Sequence, residues 1–126
     1  MRTWREEELA VGETLARRLF DTLARETADP PGVTRVAFGD GERFAHRLLI
    51  DEATAMGLEA AHDAAGNLFL TQPGEDRLGT IYIGSHVDTV GHGGNFDGAA
   101  GVIAGLAAQA VFHAAGVKPP FDLTVL

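Results

Sequence analysis

The run from residue 98 to 115, Gly-Ala-Ala-Gly-Val-Ile-Ala-Gly-Leu-Ala-Ala-Gln-Ala-Val-Phe-His-Ala-Ala, constrains the fold more than any other segment. It is rich in alanine and apolar on nearly every side, so a helix built from it offers no face to water. His113 and its glycines mark it as a buried helix rather than a membrane span. Small side chains suit close packing against a sheet. The flanks agree. Thr80–Ser85 is apolar and β-prone and predicts a strand. A loop with Gly91, Gly93, Gly94 and Gly98 follows it. Pro119-Pro120 ends the helix, and Phe121–Leu126 begins another strand. Strand, buried helix and strand in that order predict an α/β layered fold.

The first half of the chain is consistent with that class. Residues 4–28 predict an amphipathic helix with Leu9, Ala16, Leu19 and Leu23 near helical spacing, stopped by Asp29-Pro30-Pro31-Gly32. Gly32–Phe38 reads as an ordered loop. A second helix is expected over 41–56, with Phe44, Leu48 and Ala55 sharing a face and Gly57 as its stop. Leu58–Ala64 and Asn67–Thr71 predict a hairpin around Ala65-Gly66, and Gln72–Asp76 a turn. No repeat, low-complexity tract or linker interrupts the 126 residues, which suffice for one domain. The last residues, Leu123–Leu126, read as a strand that wants further neighbours. The expectation is therefore a piece of a longer protein, with its final strand exposed.

Ten basic residues against eighteen acidic ones give a net charge of −8, which argues against nucleic acid or an anionic membrane as partner. The chain has no cysteine, so disulfides and thiolate ligands are excluded, and any metal must be held by His, Asp, Glu or water. Met1–Glu8 lacks the apolar core of a signal peptide, which makes a cytoplasmic location the default expectation.

His86-Val87-Asp88 lies at the C-terminal end of the strongest predicted strand, where open α/β sheets bind ligands. Positions i and i+2 of a strand face the same side, so Asp88 can accept the second N–H of the His86 imidazole and fix the ring for a metal. Gly93-Gly94-Asn95-Phe96-Asp97-Gly98 lets backbone approach a crowded centre and presents Asp97 immediately before the helix. A carboxylate can bridge two cations about 3.5–4 Å apart. Plainer readings exist for each residue. His86 can be a core histidine held by Asp88, and Asp97 can be a helix N-cap. His46, expected to face solvent, His62 and His113 are assigned no chemistry. The role of His92, among glycines, stays open.

Taken together, Gly84-Ser85-His86-Val87-Asp88-Thr89-Val90, then Gly93–Gly98, then Gly101-Val102, resemble the metal-site signature of the M20 metallopeptidase superfamily. Gly32–Phe38 and Asp63–Leu68 resemble stretches of its amidase branch: N-carbamoyl-L-amino-acid hydrolases, allantoate amidohydrolases and β-ureidopropionases. The resemblance implies part of a three-layer α/β/α zinc-hydrolase domain with a mixed sheet. Residues 1–126 would be the N-terminal part of its catalytic domain, without the dimerisation domain. It further implies His86 as a terminal metal ligand, Asp97 as the bridge and Asp88 as the acid that orients His86. Two divalent ions (Zn, Mn, Co or Ni) would activate a water against a ureido or amidino carbon of a small-molecule substrate, in a homodimeric parent.

Family members are several times longer. They use a Glu-Glu pair after the strand that here ends at Leu126, and two later histidines, none of which this sequence contains. The site is therefore expected to be incomplete and the chain inactive alone. The rival expectation is a non-catalytic relative acting as an interaction module, pairing through its final strand.

Overall fold

The computed structural model describes residues 2–126. Helix α1 (Glu6–Glu26) leads into two short paired strands, β1 (Ala28–Asp29) and β2 (Gly32–Val33). Then come α2 (Asp40–Ala55), β3 (Glu59–His62), β4 (Leu68–Gln72), β5 (Asp76–Ile83), α3 (Ala99–Ala114) and β6 (Phe121–Val125). Strands β3 to β6 form one mixed sheet in the order β3-β4-β6-β5. β5 and β6 are parallel, and the other neighbours are antiparallel. Parallel neighbours need a long crossover, and α3 supplies it. The expected α/β class and mixed sheet are both present.

The core lies against one face of the sheet. Leu68 and Leu70 point to the same side of β4, and Leu70 sits opposite Val125 of β6. Leu19 and Leu23 of α1, Leu49 and Ala53 of α2, and Ile103 and Leu106 of α3 close over them in a single cluster. Of a three-layer α/β/α arrangement, the described residues supply the sheet and one helical layer. α3 is buried between α1 and the sheet, which explains its composition. A Cβ on Gly105 would fall 2.7 Å from Val125 Cγ2, and one on Gly12 of α1 would fall 2.9 Å from the carbonyl oxygen of Ala107. Gln109, fully buried in α3, donates from Nε2 to the carbonyls of Leu70 (2.9 Å) and Leu123 (2.8 Å) and so ties the helix to β4 and β6.

Several expectations need correction. The final strand is not an exposed edge: β6 is an interior strand, paired to β4 on one side and β5 on the other. The crossover through α3 returns the chain into the gap between them, and Asp122–Val125 is buried. An interaction module built on an unpaired final strand loses its basis. The expected turn over Gln72–Asp76 is shorter, because β5 begins at Asp76. The buried face of α1 runs through Gly12, Leu15, Leu19 and Leu23, leaving Leu9 half exposed. In α2 it runs through Ala45, Leu49 and Ala53, with Phe44 and Leu48 only packed against its margin. Where α1 crosses α3, the small Gly12 lies at the contact and the larger Leu9 is left at its edge. Among the described residues no helix is long and apolar enough to cross a membrane.

Candidate metal centre

Pairing between β5 and β6 continues beyond the strand ends. Leu126 N–H donates to Ile83 O (3.0 Å), and Ser85 N–H donates to Leu126 O (3.0 Å). The sheet thus holds the chain up to Ser85, and His86 is the first residue past it. The His86 Nδ1 atom lies 3.2 Å from Asp88 Oδ1 and 3.1 Å from the Asp88 carbonyl oxygen. Both neighbours are acceptors, so the geometry selects the tautomer with the proton on Nδ1. The Nε2 lone pair is left without a hydrogen-bond partner among the described residues. Half of the side-chain surface, 51%, is exposed, so His86 is not a core histidine.

Asp97 does not cap α3. The N-cap is Gly98, at φ 66° and ψ −53°, and it makes no side-chain cap hydrogen bond. The Asp97 carboxylate is exposed and makes no hydrogen bond among the described residues. The backbone of Gly98 lies against the His86 ring. A Cβ there would sit 2.3 Å from Cε1, 2.4 Å from Nδ1 and 2.6 Å from Nε2. Only glycine meets both demands, a positive φ and a face of bare Cα for the imidazole. The residue next to Asp97 is thereby packed on His86.

Both loops hang on residues 33–35. Val33 and Gly93 exchange backbone hydrogen bonds (3.0 and 2.8 Å), and Thr89 N–H donates to Arg35 O (2.8 Å). Arg35 is fully buried. Its Nε donates to Val87 O (2.6 Å), Nη1 to Asn95 Oδ1 (3.0 Å) and Nη2 to Asn95 O (3.2 Å). Burial pulls the Arg35 pKa down, and the charge of Asp88 opposes that. Asn95 Nδ2 donates in turn to Phe20 O (3.0 Å), and Phe96 stacks edge-on against Phe20 (centroids 4.7 Å apart), which fastens the Asp97 loop to α1. The sequence reading gave Arg35 and Asn95 no role. Its one available signal was a lone charge within the apolar run Val33–Phe38.

The remaining histidines fall elsewhere. His46 is half-buried rather than solvent-facing, with Nδ1 3.4 Å from His62 Nε2. Burial lowers its pKa, and the His62 charge lowers it further, against Glu42. It lines a cavity of about 180 Å3 together with Phe38, Glu42, Asn67, His86 and Asp88. His92 braces the β1–β2 turn: its N–H donates to Thr34 Oγ1 (3.0 Å), and its Nδ1 lies 3.0 Å from Asp29 O. His113 is exposed near the end of α3. An imidazole nitrogen and a free carboxylate suit a divalent cation in kind. They are too few for a closed site: no cluster of three or more His, Asp or Glu suited to a metal occurs among the described residues.

Comparison with known proteins defines the class to which this fold belongs. No protein-family model matches the chain. The hydantoinase/carbamoylase family amidase from Burkholderia ambifaria superposes with a TM-score of 0.84 at 38% identity, over 90% of this chain and 28% of that one. The N-carbamoyl-L-amino-acid amidohydrolase of Paenarthrobacter aurescens is 37% identical over 107 residues, 82% of this chain and 26% of that protein. The ureidoglycolate hydrolase of Oryza sativa subsp. japonica is 35% identical over 112 residues, 87% of this chain and 23% of that protein. The chain belongs to the hydantoinase/carbamoylase family of amidases, the M20 branch that its motifs resemble. It spans about a quarter of the length of these relatives, between 23% and 28%.

Proposed function

We propose that this chain supplies half of a two-metal centre in a hydrolase of linear C–N bonds, acting on N-carbamoyl amino acids, allantoate or a similar ureido or amidino compound. The observation that carries the proposal is the arrangement of His86. Asp88 holds its Nδ1 proton, Nε2 is free, and the Asp97–Gly98 backbone packs against its ring. His86 would be a terminal ligand and Asp97 the bridging one. Zn, Mn, Co or Ni ions, when bound, supply Lewis-acid activation for the attack on the scissile carbon. Asp88 orients the imidazole and raises its basicity as a donor. The glycine-rich loop admits Asp97 without side-chain bulk. A general base and the remaining ligands belong to the rest of a complete site, so the 126 residues alone are expected to be inactive. A cytoplasmic location, the default for Met1–Glu8 without an apolar core, and a homodimeric parent, which rests on the family resemblance, belong to the same proposal.

Titration calorimetry with Zn2+ or Mn2+ tests it on a longer protein that carries this segment and the remaining ligands. Asp97→Ala is expected to abolish binding, because a bridge anchors both ions. Asp88→Asn is expected to weaken it about 10–100-fold, the usual effect of losing an orienting acid. Equal, small effects of the two substitutions would count against the assignment. In a longer protein carrying this segment, the same order is expected for turnover of an N-carbamoyl-L-amino acid.

A further inference from the structure

We infer that Arg35 is a positioning residue whose guanidinium sets the spacing between the His86–Asp88 loop and the Asn95–Asp97 loop. The inference rests on the proposed reading of those loops as the two halves of one metal site. A single buried side chain touches both. Nε takes the carbonyl of Val87, the residue between His86 and Asp88, at 2.6 Å. Nη1 and Nη2 take the side-chain and main-chain oxygens of Asn95, two residues before Asp97, at 3.0 and 3.2 Å. Nη1 also reaches Thr27 Oγ1 at the end of α1, at 3.4 Å.

The chain between these loops cannot hold the spacing alone. It contains Gly91, Gly93 and Gly94 and has little intrinsic conformational preference. Stability alone does not call for an arginine here. Arg35 is fully buried, and no carboxylate forms an ion pair with it among the described residues. A well-packed apolar residue in such a position is often neutral or better for stability. What an apolar residue or lysine cannot reproduce is a rigid planar fork with donors aimed at four acceptors on three residues. Each donor of the fork lands on the backbone or amide of a motif loop or the helix end beside it. The backbone of Arg35 adds a second tie to the first loop, accepting from Thr89 N–H (2.8 Å) and donating to Thr89 Oγ1 (2.9 Å).

The test uses the whole chain without metal first. The α-protons of Gly98 lie against the His86 ring and must carry its ring-current shift, an NMR signal that reports the distance between the loops. Arg35→Lys and Arg35→Met are compared with Gln109→Ala, a core control in α3 whose side-chain hydrogen bonds run to Leu70 and Leu123 of the sheet. Asn95→Ala cuts the same link from the other end and covers the case in which the Arg35 variants do not fold. The expected result is loss of the Gly98 shift in the folded Arg35 variants and in Asn95→Ala, and its retention in Gln109→Ala despite a lower melting temperature. In a longer protein that completes the site, Zn2+ affinity should fall about 10–100-fold in step with the shift. A wild-type Gly98 shift in folded Arg35→Lys or in Asn95→Ala overturns the inference, and so does its loss in Gln109→Ala. If the shift behaves as expected while Asp97→Ala leaves the Zn2+ content of a longer protein that completes the site unchanged, the metal assignment fails and the clamp stands.

Discussion

Replacing Gly98 by alanine tests the contact that joins the two motif loops. The substitution meets two separate penalties. The backbone sits at φ 66° and ψ −53°, a conformation that L side chains rarely adopt. Holding a non-glycine residue in so sparse a region costs about 1–3 kcal/mol. The new Cβ would also lie 2.3 to 2.6 Å from three ring atoms of His86, so the imidazole has to move. Moving it sacrifices the hydrogen bond from Nδ1 to Asp88, worth about 0.5–1.5 kcal/mol net. The sum is about 2–4 kcal/mol. At about 4 °C per kcal/mol for a domain of this size, the melting temperature should fall by roughly 8–16 °C. Scanning calorimetry measures the stability. Nitrogen-detected NMR of the imidazole measures the second consequence, loss of the Nδ1–H tautomer that Asp88 selects. A melting temperature within about 2 °C of wild type, with the tautomer unchanged, would show that Gly98 does not pack on His86, because neither penalty would then exist.

Other outcomes are specific enough to check. Burial, the largest cause, and the His62 charge lower the His46 pKa, so the unfolded chain takes up the proton first. Stability linked to His46 is therefore present above about pH 6.5 and lost as pH falls from there toward the lower folded value. Urea unfolding between pH 5 and 7.5 should show that slope in wild type and not in His46→Gln. Asp122 accepts from Gly74 N–H (2.8 Å) and from Arg77, and these bonds hold its carboxylate below the usual range. Its contribution is present above about pH 3.9 and lost as pH falls through the depressed value, so Asp122→Asn should flatten the acid limb below pH ~4. Gln109→Ala removes two buried hydrogen bonds and leaves a cavity between α3 and the sheet. Chemical denaturation should register a loss of about 2–4 kcal/mol without a change in the His86 signals.

Sequence alone determined the parts of this protein that depend on neighbours along the chain. Period, breakers and composition located all three main helices and the strands of the mixed sheet. The all-round apolar character of residues 98–115 required a helix packed on both sides, and α3 is that helix. The spacing of His86 and Asp88 was enough to place the carboxylate on the ring nitrogen, because a two-residue separation in extended chain needs little further information. The family motifs were legible for the same reason: each is a short contiguous run.

What only the tertiary structure decided depends on segments far apart in sequence. The interior place of β6 is one case. A strand's own residues specify its pleat, while its neighbours are chosen by where the α3 crossover delivers it. The rotated face of α1 is another, since its close approach to α3 at Gly12 and Ala107 selects which stripe is buried. Asp97 looked like an N-cap by position, and only the backbone of Gly98 shows that the cap lies one residue later and leaves the carboxylate free. Arg35 read as one charge in an ordered loop. Its burial and its links to Val87 and Asn95, 52 and 60 residues away, arise because three loops converge on one point. A local pattern carries no information about such a convergence.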